Sequence, residues 1–114
     1  MAEPPDKEGP EHRNEPRRRV LLSGKLVYGA AELVQDCAIS DLSRRGAKVR
    51  MRGPEPLIDP IYLIDVRHGL AFKAREAWRN GALVGLAFTR AFDLRNPPPE
   101  APRILRHIWV EQTR

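Results

Sequence analysis

Ile39-Ser40-Asp41-Leu42-Ser43-Arg44-Arg45-Gly46-Ala47-Lys48-Val49 is the stretch whose reading decides the fold. At the period of a strand, Ser40 and Leu42 face one way and Asp41 and Ser43 the other, so a carboxylate and a hydroxyl share one surface. Arg44, Arg45 and Gly46 then make a turn, with Gly46 the residue best able to take a positive φ. Ala47, Val49 and Met51 resume an apolar alternation. This pattern predicts a hairpin with a polar site at its rim. The same residue types also close turns by bonding their own backbone, a role that needs no ligand.

Outward from the hairpin, the alternation extends in both directions. Val20 to Tyr28 predicts a strand with Val20, Leu22, Leu26 and Tyr28 on one face, and Gly29 with the alanines after it makes a turn. Glu32 to Leu42 is a second strand, long enough to be twisted or bulged, that delivers Asp41 and Ser43 to its end. Ala47 to Arg52 is the third, with Lys48, Arg50 and Arg52 outward. Gly53, Pro54, Pro56 and Pro60 mark a loop. Ile61 to Val66 reads as a buried strand, His68-Gly69 as a turn, and Leu70 to Arg79 as a fifth strand. Asn80-Gly81 is a hairpin signal before the last strand, Ala82 to Phe92, with Val84, Leu86 and Phe88 on one face. Six short strands joined by tight turns predict a mainly β fold, a six-stranded antiparallel barrel that leaves no open edge. Pro97-Pro98-Pro99 leaves the sheet, and a helix from about Pro102 to Gln112 carries an apolar stripe of Ile104, Leu105, Ile108 and Trp109. That stripe is expected to pack on the core by capping an open end of the barrel.

At 114 residues, 41% apolar and 31% charged, the chain suits one domain. Residues 1–12 lack apolar periodicity and are expected to be a disordered tail, followed by an arginine-rich segment at 13–19, the barrel at 20–96 and a proline linker with the helix at 97–114. No apolar run approaches the roughly 18 residues of a membrane span, and no apolar signal segment follows the N-terminal charges, so a cytoplasmic protein without membrane insertion is expected. Cys37, the single cysteine, excludes an intramolecular disulfide and reads as a small structural side chain. His12, His68 and His107 lack metal-ligand spacing, and no nucleophile with a neighbouring base, carboxylate pair or phosphate-cradling Gly-rich loop is present. Neither an enzyme nor a cofactor is expected. The net charge of +5 and its concentration in the first half point to an anionic partner.

The arginines give that charge a pattern. Arg13 and Arg17, followed by Arg18 and Arg19, precede the first strand, and Asp41-x-Ser43-x-x-Gly46 follows it. An Arg-x-x-x-Arg segment and an Asp-x-Ser-x-x-Gly hairpin in this order resemble the PilZ domain family. Trp78-Arg79 before Val84-Gly85-Leu86-Ala87-Phe88 is similar to the closing strands of that family. The resemblance implies a PilZ-type six-stranded barrel with a C-terminal helix, and a receptor for the bacterial second messenger cyclic di-GMP. It also implies that Arg13 and Arg17 contact the guanine acceptor edge and the phosphates with Arg18 in support, that Asp41 accepts from guanine N–H groups, and that Ser43 and Gly46 complete the site. The chemistry agrees, because guanine O6 and N7 match an arginine fork while its other edge carries donors that only an acceptor such as Asp41 satisfies. Ordering of the arginine segment over the barrel would be the signal to a downstream protein partner. One alternative is an adaptor of the same fold that works through protein contacts with weak or no nucleotide binding. Another is a basic barrel that binds single-stranded nucleic acid. With 6% aromatic residues, Phe72, Trp78, Phe88 and Phe92 on inward periods and only Tyr28 and Tyr62 unassigned, the stacking platform for nucleic acid is missing. Trp78 is expected in the core.

Overall fold

The computed structural model describes residues 18–30 and 33–113, with the backbone alone for residues 18–20. The tail and the first part of the arginine-rich segment lie outside the described residues. Alternating apolar residues form six strands, β1 (Arg18–Tyr28), β2 (Leu33–Leu42), β3 (Gly46–Arg50), β4 (Ile61–Asp65), β5 (Leu70–Asn80) and β6 (Leu83–Asp93), followed by α1 (Arg103–Thr113). They close into a barrel in the order β1-β2-β3-β6-β5-β4, and β4 returns to pair with β1. Every neighbouring pair is antiparallel. The expected six-stranded antiparallel barrel is therefore the fold.

Side chains fill the interior, as the small radius of a six-stranded barrel requires. Leu26, Ile39, Val49, Leu63, Phe72, Val84 and Leu86 form its centre, and the Phe72 and Phe88 rings stack with centroids 4.1 Å apart. The β5–β6 hairpin closes on Gly81 and Ala82, because Asn80 is still paired with Leu83. Gly81 takes φ 63° there, the positive φ a two-residue hairpin loop needs at its first position.

The helix does not cap an end of the barrel. It packs on the outer wall, where Val27, Tyr62, Ile64, Ala71, Phe92 and Leu94 form a second core with Ala101 and Leu105. The cause is visible in β4, whose residues are buried on both faces, so Tyr62 and Ile64 need a cover outside the barrel. Leu105 supplies the buried contact of α1, while the Trp109 Nε1–H donates to the Val66 carbonyl at 2.8 Å. Gly69, at φ 67°, passes beneath the Trp109 ring so closely that a Cβ there would lie 2.8 Å from it. The two unassigned tyrosines are both buried, Tyr62 under the helix and Tyr28 in the barrel with its hydroxyl accepting from Gln35 Nε2 at 2.9 Å. Among the described residues no helix is long and apolar enough to cross a membrane.

Candidate functional site

Two irregularities converge at the end of β2. On the β1 side the register slips between Arg19 and Leu22, so Val20 and Leu21 together oppose Ser40. On the β3 side it slips between Ile39 and Asp41, which leaves Ser40 as the extra residue before Asp41 pairs with Lys48. Bulges of this kind raise local twist and re-aim side chains. The backbone of Arg18 then lies across from Leu42 and that of Arg19 across from Asp41, so the arginine-rich run joins the sheet beside the motif carboxylate. Arg13 and Arg17 lie outside the described residues, and Arg18 is placed by its backbone only.

Asp41 does not close the turn. Its carboxylate, 15% exposed, pairs with Lys48 Nζ at 3.2 Å, while the Ser40 hydroxyl donates to the Lys48 carbonyl at 3.2 Å. The acceptor is thus held on the outer face of the barrel by a cation whose ammonium is itself partly exposed. Lys48 was legible as an outward residue but not as the partner of Asp41, because the bulge decides that pairing.

Ser43 takes the local role. Its Oγ accepts from the Arg45 and Gly46 N–H groups at 3.2 and 3.3 Å, and its own N–H donates to the Gly46 carbonyl at 2.9 Å. These bonds fix the two-residue loop Arg44-Arg45. Gly46 does not take the positive φ expected of it, since left-handed backbone among the described residues is confined to Gly29, Ala30, Gly69 and Gly81. Its requirement is space. A Cβ on Gly46 would lie 2.2 Å from the Leu86 carbonyl oxygen, so the glycine lets β3 close against β6.

The register carries the site across the sheet. Lys48 pairs with Gly85 on β6, and Gly85 pairs with Trp78 on β5, so Asp41, Lys48, Gly85 and Trp78 form one row. The row spans three strand spacings, about 14 Å. Trp78 is not in the core: it is 46% exposed on the outer face, its indole lying where a Gly85 side chain would be. The bulge between Glu76 and Trp78 turns it outward, and Arg79 takes the inward place, with Nη1 3.4 Å from Met51 Sδ. A signal was present in the sequence, since counting back from the Asn80-Gly81 hairpin sets the tryptophan opposite a glycine. The row therefore combines an acceptor, a cation and an aromatic face, a set suited to a planar base that carries phosphate. No group of three His, Cys, Asp or Glu side chains suited to a metal occurs among the described residues.

No curated protein matches the chain. The family description that matches is that of the PilZ domain, over residues 11–96 and so over most of the 114 residues, including both the arginine-rich segment and the hairpin. On that match and this fold, the chain belongs to the PilZ domain family.

Proposed function

We propose that this protein binds cyclic di-GMP on the outer barrel face that carries Asp41, Lys48 and Trp78, and that binding orders the arginine-rich segment into a signal for a protein partner. The family is one of cyclic di-GMP receptors, binding domains rather than enzymes. The observation that carries the reading for this chain is the register that sets Arg18 and Arg19 beside Leu42 and Asp41, because it brings the arginine-rich run to the motif carboxylate. Arg13 and Arg17 supply forks for guanine O6 and N7 and for the phosphates, with Arg18 as a further cation. Asp41 accepts from guanine N–H donors. Lys48 keeps the carboxylate positioned until the base arrives, and Trp78 offers a stacking face worth about 1–3 kcal/mol per base. Ser43 and Gly46 act through the hairpin, one by fixing its loop and the other by seating β3 on β6. The protein acts in the cytoplasm, without a cofactor or catalysis, and the downstream partner reads the ordered segment.

Titration of the full chain with cyclic di-GMP, against GMP and cyclic di-AMP, tests this. Saturable guanine-selective binding is expected, weakened several-fold or more by Arg13→Ala or Arg17→Ala with the fold intact. Asp41→Ala is expected to weaken binding and to lower discrimination between the guanine and adenine dinucleotides. Absence of binding by the unaltered chain would favour the adaptor, and a steep salt dependence without preference among nucleotides would favour single-stranded nucleic acid.

A further inference from the structure

We infer that Arg75, on β5, is the cation that takes the ligand phosphate on the side of the face away from the arginine-rich segment. This rests on the proposed cyclic di-GMP site and extends it to a strand that neither motif includes. Arg75 pairs with Ala87 on β6, and Ala87 pairs with Gly46 on β3. Ala74, the residue before it, is buried in the barrel, so the exposed Arg75 projects from the outer face, the face of Asp41 and Lys48. From Arg75 to Gly46 is two strand spacings, about 10 Å. Ala87, whose side chain is a methyl, is the residue between them in that row.

Electrostatics favour the same assignment. The Arg75 guanidinium makes no hydrogen bond or ion pair with any described residue. The neighbouring carboxylate, Glu76, accepts from Arg79 Nη2 at 3.0 Å, so it does not neutralise Arg75. Lys48 is already engaged by Asp41. The ligand carries its two phosphates on opposite sides of a closed ring, and the described part of the arginine-rich segment, the backbone of Arg18 and Arg19, pairs with the end of β2 on the far side of this face from β5. Arg75 lies in the row next to that of Trp78 on the same face, so a base stacked on that ring has an unengaged guanidinium beside it for its phosphate.

The test is equilibrium titration of the full chain with cyclic di-GMP at several salt concentrations, for the unaltered protein, Arg75→Ala, Arg75→Lys and, as a control on the exposed helix surface, Arg103→Ala. Arg75→Ala is expected to weaken binding about five- to tenfold and to flatten the log–log salt dependence by about one phosphate contact. Arg75→Lys is expected to keep the salt slope and recover part of the affinity, because it keeps the charge and loses the fork. Arg103→Ala is expected to bind as the unaltered chain does. If the unaltered chain binds and Arg75→Ala matches it, or loses affinity with an unchanged slope, the assignment of Arg75 is overturned and the site stands. If the unaltered chain does not bind, both fall together.

Discussion

Gly46→Ala separates the two jobs a glycine can do in this hairpin. The added Cβ would lie 2.2 Å from the Leu86 carbonyl oxygen, where ordinary contact begins at 3.4 Å, so β3 and β6 must part by about 1.2 Å. The obstacle is backbone and cannot rotate away. Parting the strands stretches the Phe88 N–H to Arg45 carbonyl bond, now 2.7 Å, together with the adjacent Gly46–Ala87 pairing. Two hydrogen bonds at about 1 kcal/mol each and about 1–3 kcal/mol of overpacking give an expected loss of about 3–5 kcal/mol. For a chain of this size that lowers Tm by roughly 10–20 °C.

Urea and thermal unfolding followed by circular dichroism measure that loss, with Gly81→Ala as the reference. Gly81 sits at φ 63° with open space around it, so alanine there suffers only the left-handed backbone penalty, about 1 kcal/mol. The steric account requires the Gly46 variant to be clearly the less stable. A Gly46→Ala protein that unfolds like the unaltered chain, or like Gly81→Ala, would refute it. If such a protein also lost cyclic di-GMP binding, the glycine would be serving ligand approach instead of strand closure.

Gly85→Ala meets the Trp78 indole rather than backbone, so it should displace the ring, leave Tm within a few degrees and reduce cyclic di-GMP affinity; unchanged affinity on titration would remove Trp78 from the site. Leu105→Ala empties the fully buried contact of α1 and should cost about 2–4 kcal/mol in urea unfolding, and a loss below about 1 kcal/mol would mean that the outer core relaxes into the space. Burial pushes the Cys37 thiol up to about 12, so at pH 8 its reaction with a disulfide reagent should be far slower than in urea-unfolded chain, and equal rates would contradict the packing of this strand. The same shift makes folding lose stability as pH rises from the ordinary thiol value of 9.0 toward 12, because the unfolded thiol ionises first.

What the sequence could disclose follows from what period and register each encode. A period of two in Leu22 to Tyr28, Ala47 to Arg52 and Val84 to Phe88 reports which residues enter the barrel, and those faces are the ones observed, the side chain of Val20 lying outside the described residues. The position of the helix was harder, because its stripe states that it must be buried but not against which wall. The run Ile61 to Ile64, apolar on both faces, held that answer, since a strand buried on both faces needs a cover outside the barrel. Trp78 departs from the expected core position because one bulged residue exchanges the faces of everything after it, and an alternation already interrupted by charged residues hides the bulge, so that only the count back from the Asn80-Gly81 turn discloses it. Gly46 was read by its most common use, positive φ, whereas its need arises from β6, a strand some forty residues away that local spacing does not include.

These positions also explain why the hairpin motif has its spacing. Asp41 is useful only if β3 returns beside it at a fixed register, since Lys48 must reach its carboxylate. The return is set by Ser43, which fixes a loop of two residues, and by Gly46, which begins β3 and admits β6 at close range. That close approach puts Gly85 next to Lys48, and Gly85 in turn is where the Trp78 ring lies. The serine and the glycine thus act on the ligand through geometry, by bringing an acceptor on β2 and an aromatic ring on β5 onto one surface. A longer loop or a side chain at position 46 would keep every polar group of the motif and still separate the two halves of the site. Affinity should therefore fall with loss of the β3–β6 contact even when Asp41 and the arginines are unchanged.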